Sequence, residues 1–79
     1  MTQVRVNLNS IEKVKAFVNT IAQFESEFDL VSGRYVIDAK SIMGIFSLDI
    51  SKPIDLNIHT ETDEALKEIL EAIDMYLVK

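Results

Sequence analysis

Seventy-nine residues, 48% of them hydrophobic and 27% charged, supply one small core and too few apolar side chains for two, so a single domain over residues 1–79 is expected. Eight Lys and Arg against thirteen Asp and Glu give a net charge of -5, which repels phosphate backbones and argues against nucleic acid as a partner. There is no cysteine for a disulfide or a thiolate metal site, which suits a reducing, cytoplasmic setting; apolar runs such as Tyr35-Val36-Ile37 fall far short of the roughly 18 residues of a membrane span.

In chain order, Gln3, Arg5 and Asn7 alternate with Val4, Val6 and Leu8, and this period of two predicts a strand over about residues 2 to 8. Ile11, Val14, Phe17, Val18, Ile21, Ala22 and Phe24 then fall on one stripe at 3.6-residue spacing, predicting a helix from about Ser10 to Gln23. Asn9 followed by Glu12 resembles a capping box that would satisfy free N–H groups at its start. Phe28 and Leu30 alternate with Glu27 and Asp29, and a β-rich stretch resumes after Gly33. Strands over about 26 to 32 and 34 to 39 therefore read as a hairpin turning at Gly33.

Ile42, Ile45 and Phe46, with Leu48 beyond them, return to helical spacing for about two turns, with Ser41 suited to cap the entry and Gly44 weakening the helix. Pro53 ends any continuation. Ile54, Leu56 and Ile58 then alternate with Asp55, Asn57 and His59 as a fourth strand over about 54 to 60. Thr60 or Thr62 can cap a last helix over about 62 to 78, with Leu66, Ile69, Leu70, Ile73, Tyr76 and Leu77 as its stripe and Glu61, Asp63 and Glu64 at its positive end. Four strands apolar on one face and two long helices apolar on one stripe bury their surfaces most simply as a two-layer α+β sandwich. A doubly wound α/β fold is excluded, because its central strands would be apolar on both sides.

The stretch Asp38-Ala39-Lys40-Ser41-Ile42-Met43-Gly44-Ile45-Phe46-Ser47-Leu48-Asp49-Ile50 closely resembles the segment around the regulatory serine of HPr, the histidine-containing phosphocarrier family of the bacterial sugar phosphotransferase system. Ala16-Phe17-Val18, the hairpin and the acidic start of the last helix occur in the family's order. The resemblance implies an open-faced sandwich, a four-stranded antiparallel sheet with three helices on one side, in the order β-α-β-β-α-β-α. Counting back from Phe17 without gaps puts Ser10 where the family has its phosphorylated histidine and Glu12 where it has an arginine, while Asp49 replaces a usual glycine. A serine phosphate ester is far less labile than a phosphoimidazole, and Glu12 would repel the dianion. The expected function is that of an HPr-like regulatory or protein-binding module without histidine phosphotransfer. The alternative is an active phosphocarrier using a non-standard residue such as His59, and a third class is a structural oligomer built through the exposed sheet face.

The resemblance also implies that a kinase phosphorylates Ser41 to switch partner binding, a placement that free N–H groups at a helix start and the adjacent Lys40 would favour. A plain N-cap worth about 1 kcal/mol explains the same serine without any function. Ile42, Met43, Ile45 and Phe46 are more large apolar residues than a two-turn helix hides on one stripe, and in the family this patch docks partners. Ile42, Met43 and Phe46 are therefore the candidate partner-binding residues, for a cytoplasmic protein of the phosphotransferase system or a transcription regulator; the bland reading sends them all into the core. His59, the one imidazole, reads as an exposed residue at a strand end with no triad partner nearby in sequence. Glu61, Asp63, Glu64, Glu68 and Glu71 read as a solvated helix face. No glycine-rich phosphate loop and no His or Cys cluster is present, so neither metal nor cofactor is expected.

Overall fold

The alternating apolar positions of the strands all meet on one side of a single sheet. The computed structural model describes residues 1–78. In chain order these form β1 (Thr2–Val6), α1 (Ile11–Ile21), β2 (Glu27–Ser32), β3 (Tyr35–Asp38), α2 (Ile42–Ile45), β4 (Ile54–His59) and α3 (Asp63–Ala72), with a 3-10 turn at Asp74–Tyr76 after them. The sheet order is β1-β4-β2-β3 with every neighbouring pair antiparallel. The last strand in sequence thus lies between β1 and β2.

Register aligns the apolar residues in rows across the sheet: Val4 faces Leu56, which faces Leu30, which faces Ile37. A second row joins Ile58 to Phe28, and Val6 faces Ile54 at the end of β1. Val14, Phe17, Val18 and Ile21 of α1 and Ile69 of α3 close over these rows and are buried with them. Phe17 meets Tyr76 edge to face, with ring centroids 5.5 Å apart. The opposite sheet face stays in water and is polar apart from Val31 and Val36, which face each other toward the β3 edge. There Gln3 donates to Asn57 at 2.9 Å and Arg5 pairs with Asp55 at 3.3 Å. This is the two-layer α+β sandwich that the periodicity implied, in the four-stranded antiparallel, open-faced form that the resemblance implied.

Several boundaries differ from the sequence reading, each for a physical reason. The cap of α1 is Ser10 rather than Asn9: its backbone is extended, and its Oγ accepts the Lys13 N–H at 3.1 Å. Ile11, at the start of the stripe, and Ala22, the residue that follows the helix, are exposed, whereas Phe24 packs against the core. The expected strand to residue 8 stops at Val6, since Asn7 turns its N–H to the Tyr76 carbonyl at 2.8 Å. The last helix ends at Ala72 instead of continuing to residue 78. Beyond the 3-10 turn, Leu77 bridges to Val6 and the Val78 N–H donates to the Arg5 carbonyl at 2.9 Å. The outer edge of β1 offers unpaired backbone groups, and satisfying them outweighs one more helical turn.

The hairpin between β2 and β3 turns at Gly33, whose φ of +58° is the one positive value among the described residues. Phe17→Ala is expected to cost about 3–5 kcal/mol through the cavity left between helix and sheet. Gly33→Ala meets no atom within 4 Å, so its cost should be only the left-handed backbone penalty of about 1–2 kcal/mol. Urea titration of the two variants checks both values, and the ranking as well.

Candidate functional site

Ser41 ends the link from β3 to α2 with an extended backbone, and its Oγ accepts the Gly44 N–H at 3.2 Å. It is exposed. A Cβ on residue 44 would stand 3.2 Å from that Oγ and 3.4 Å from Ile37 Cδ1, so glycine leaves the serine room to cap. The Ser47 and Leu48 N–H groups donate to the Gly44 and Ile45 carbonyls, tightening the end of α2 into 3-10 geometry and shortening the helix to 42–45. Lys40 is adjacent in sequence, yet its Nζ donates to the Phe24 carbonyl at 2.7 Å and lies 5.5 Å from the centre of the Phe28 ring. Its ammonium is thus held by the start of β2 and is not an arm folded over Ser41.

Of the four large apolar residues here, Ile45 is buried and Ile42 half-buried against the core. Met43 is 82% exposed and Phe46 39% exposed. Two of the three candidate docking residues therefore present apolar surface to water, and the third anchors them. At the start of α1, Ser10 Oγ closes the first turn and the Ser10 carbonyl accepts the Val14 N–H at 3.0 Å. Glu12 stands exposed in that turn, and Ile11 beside it is 56% exposed. Helices α1 and α2 touch, so both capped helix starts belong to the covered side of the sheet.

His59 is elsewhere. It ends β4 on the open face, where its Nε2 lies 2.8 Å from Asp29 Oδ2. The β2–β4 register sets Glu27 directly opposite His59 and Asp29 one diagonal step away. Nothing local in the sequence points to that partner, because thirty residues separate the two and only the strand register joins them. Val6 and Ile54, next to the approach to α1, mark the opposite end of β4. Five strand steps of about 3.3 Å put roughly 16 Å and the thickness of the sheet between His59 and that end. The fold does not bring His59 to Ser10.

Residues 5–77 match the family model described as the PTS HPr component phosphorylation site. The chain belongs to the HPr family. HPr-C-His from Thermoanaerobacter tengcongensis superposes with a TM-score of 0.72 at 27% identity, covering 94% of this chain and 92% of that one. The phosphocarrier protein HPr from Bacillus anthracis does so at 0.67 and 25% identity, over 90% and 94% of the two chains. Crh, the Bacillus subtilis catabolite repression protein solved as a domain-swapped dimer, has the same fold at 0.65 and 24% identity, over 100% and 93%. No curated protein sequence matches the chain.

In this HPr-family chain the loop after α2 carries Asp49, at the residue where the resemblance leads one to expect glycine. Its Oδ1 accepts both the hydroxyl and the N–H of Ser51. The Ser51 hydroxyl, then the Ser51 N–H, and to a lesser degree Lys52 hold the Asp49 carboxyl below its ordinary value of 3.8. Among the described residues no helix is long and apolar enough to cross a membrane, and no group of three or more His, Cys, Asp or Glu is placed to hold a metal ion. Because the folded carboxyl titrates below the unfolded one, its contribution to stability is present at neutral pH and is lost as pH falls through the folded value. Ser51→Ala should raise the Asp49 titration back toward 3.8. Carbon-detected NMR of the carboxyl measures that shift, and an unmoved midpoint would remove the Ser51 hydroxyl as its main cause.

Proposed function

We propose that this HPr-family chain acts as a single cytoplasmic module that regulates or binds another protein, with Ser41 as the regulated position and Met43 and Phe46, anchored by Ile42, as the docking surface. On this reading it does not relay phosphate through histidine. The observation that carries the proposal is the start of α1: Ser10 Oγ closes it, Glu12 occupies its first turn, and the one imidazole lies at the far end of β4 on the other face of the sheet. A reversible relay needs an acceptor whose bond to phosphorus is easily broken, which imidazole nitrogen provides and a serine ester does not. The carboxylate of Glu12 would also oppose a dianion where the family resemblance calls for an arginine.

A phosphate on Ser41 would add a charge of about -1.5 to -2 beside exposed Met43. With Lys40 Nζ engaged by the Phe24 carbonyl, that charge would face the docking partner. The partner's class is a protein of the phosphotransferase system or a transcription regulator, and the switch would work by placing charge in a partly apolar interface.

Two experiments test this. The purified chain is incubated with labelled phosphoenolpyruvate and the first enzyme of the phosphotransferase system, and the expected result is no stoichiometric acid-labile label. Stoichiometric label would establish a phosphocarrier instead, and its loss in His59→Ala would name the acceptor. For the switch, Ser41→Ala should lower stability by about 1 kcal/mol through the lost cap while partner affinity stays near wild type. Ser41→Asp keeps a competent cap and should change that affinity. Equal affinity for wild type, Ser41→Asp and kinase-treated protein would leave Ser41 with capping alone.

A further inference from the structure

The two edges of the sheet are treated differently. The outer edge of β1 is met by Leu77 and Val78. The outer edge of β3 is met by no other strand among the described residues. The Ala39 N–H donates to the Phe28 carbonyl at 3.0 Å, which continues the β2–β3 ladder and turns the odd-numbered residues of β3 inward. The backbone groups of Val36 and Asp38 therefore point away from the sheet. Among the described residues only the Asp38 carbonyl of these groups has a partner, the Ser41 N–H at 3.0 Å. Val36 is 62% exposed and Tyr35 69% exposed, an apolar pair on a bare edge.

Charges bracket this pair symmetrically. Arg34 makes no side-chain hydrogen bond or ion pair among the described residues. Asp38 lies directly opposite Asp29 across the hairpin, a pairing of like charges, and among the described residues its carboxylate accepts only the Lys40 backbone N–H. Asp29 is engaged by His59. A two-fold axis through Val36 would set Val36 against Val36, Tyr35 against Ile37 and Arg34 against Asp38, the last two pairs occurring twice. The outward backbone of Val36 is oriented to exchange both of its hydrogen bonds in that register. Arg34 and Asp38 would each gain the opposite charge that their own chain leaves them without.

We propose that β3 is a self-association edge, through which a second copy of this chain pairs antiparallel about Val36 to extend the sheet from four strands to eight. Such a contact is isologous, since each residue meets its complement in the other copy. The complementary ends select a second copy over an arbitrary extended peptide. The edge is shorter than a standard interface and each copy carries -5, so the dimer is weak.

Sedimentation equilibrium of the full chain tests this over about 0.01 to 3 mM, a range suited to a contact smaller than a standard interface. The expected result is a concentration-dependent rise from one chain to two, with slowed amide exchange at Val36 and Asp38. Arg34→Asp alone and Asp38→Arg alone put like charges together at both ends, and each should weaken association by about tenfold or more. An equimolar mixture of the two variants restores opposite charges at both ends and should associate near the wild-type midpoint. Should Asp38→Arg fail to fold without its bond to the Lys40 N–H, Arg34→Lys retaining the dimer while Arg34→Glu loses it supports the same register. Single-chain mass throughout the range overturns the proposal. So does a dimer indifferent to Arg34→Asp, or one whose protection falls on β1, as exchange of that strand between copies would produce.

Discussion

Everything in this fold hangs on β4 being hydrogen-bonded along both sides. Ile54, Leu56 and Ile58 carry the middle of the core, and the two ladders that hold them fix the height of every residue in β1 and β2. A one-residue slip in either ladder would turn a buried row of Val, Leu and Ile into water and bury Asp55 and Asn57 in its place. The same registers set the polar face, because they determine which unlike groups meet there: Gln3 with Asn57, Arg5 with Asp55, and Asp29 with His59.

The covered face is where the helix starts lie, and it is built with little to spare. Both α1 and α2 begin on a serine whose hydroxyl takes an N–H three residues on. Side-chain oxygens so engaged have lost one of their acceptor sites to structure, and a modification there would have to leave the cap standing or replace it. The two serines differ in their surroundings. Ser10 has Glu12 in the same turn, whereas Ser41 borders Met43 and no acid stands in the first turn of α2. Electrostatics thus separate two positions that backbone geometry makes nearly equivalent.

Much of the architecture was legible because its determinants are local. Alternation in Ile54, Leu56 and Ile58, the apolar stripe of α1, the Gly33 turn and the Ser41 cap each depend on residues within a few positions of one another. The features that escaped depend on distant partners. Asn9 and Ser10 are both good caps, and the choice between them rests on where the chain leaves β1. Ile73, Tyr76 and Leu77 keep helical spacing after Ala72, so periodicity could not reveal that the bare edge of β1 claims Leu77 and Val78. At the candidate site, the exposure of Met43 and Phe46 was foreseeable from crowding on a short helix. The pairing of His59 with Asp29, and the diversion of Lys40 to Phe24, required a register and a loop path that no window of sequence contains.

The position of β4 also dictates an order of events in time. β1 and β2 are not neighbours, so a nascent chain that stops before Ile54 has a hairpin and helices but no sheet to join its first strand to its second. Such a chain leaves its apolar rows waiting, and the contact that clasps Val6 to Leu77 must wait for residues beyond the last helix. Assembly of this sheet during synthesis is therefore deferred until β4 has emerged, and the loop closures it then requires are long, which slows them relative to a helical domain of equal size. Loss of Leu77 and Val78 would reopen the outer edge of β1, a strand some seventy residues earlier.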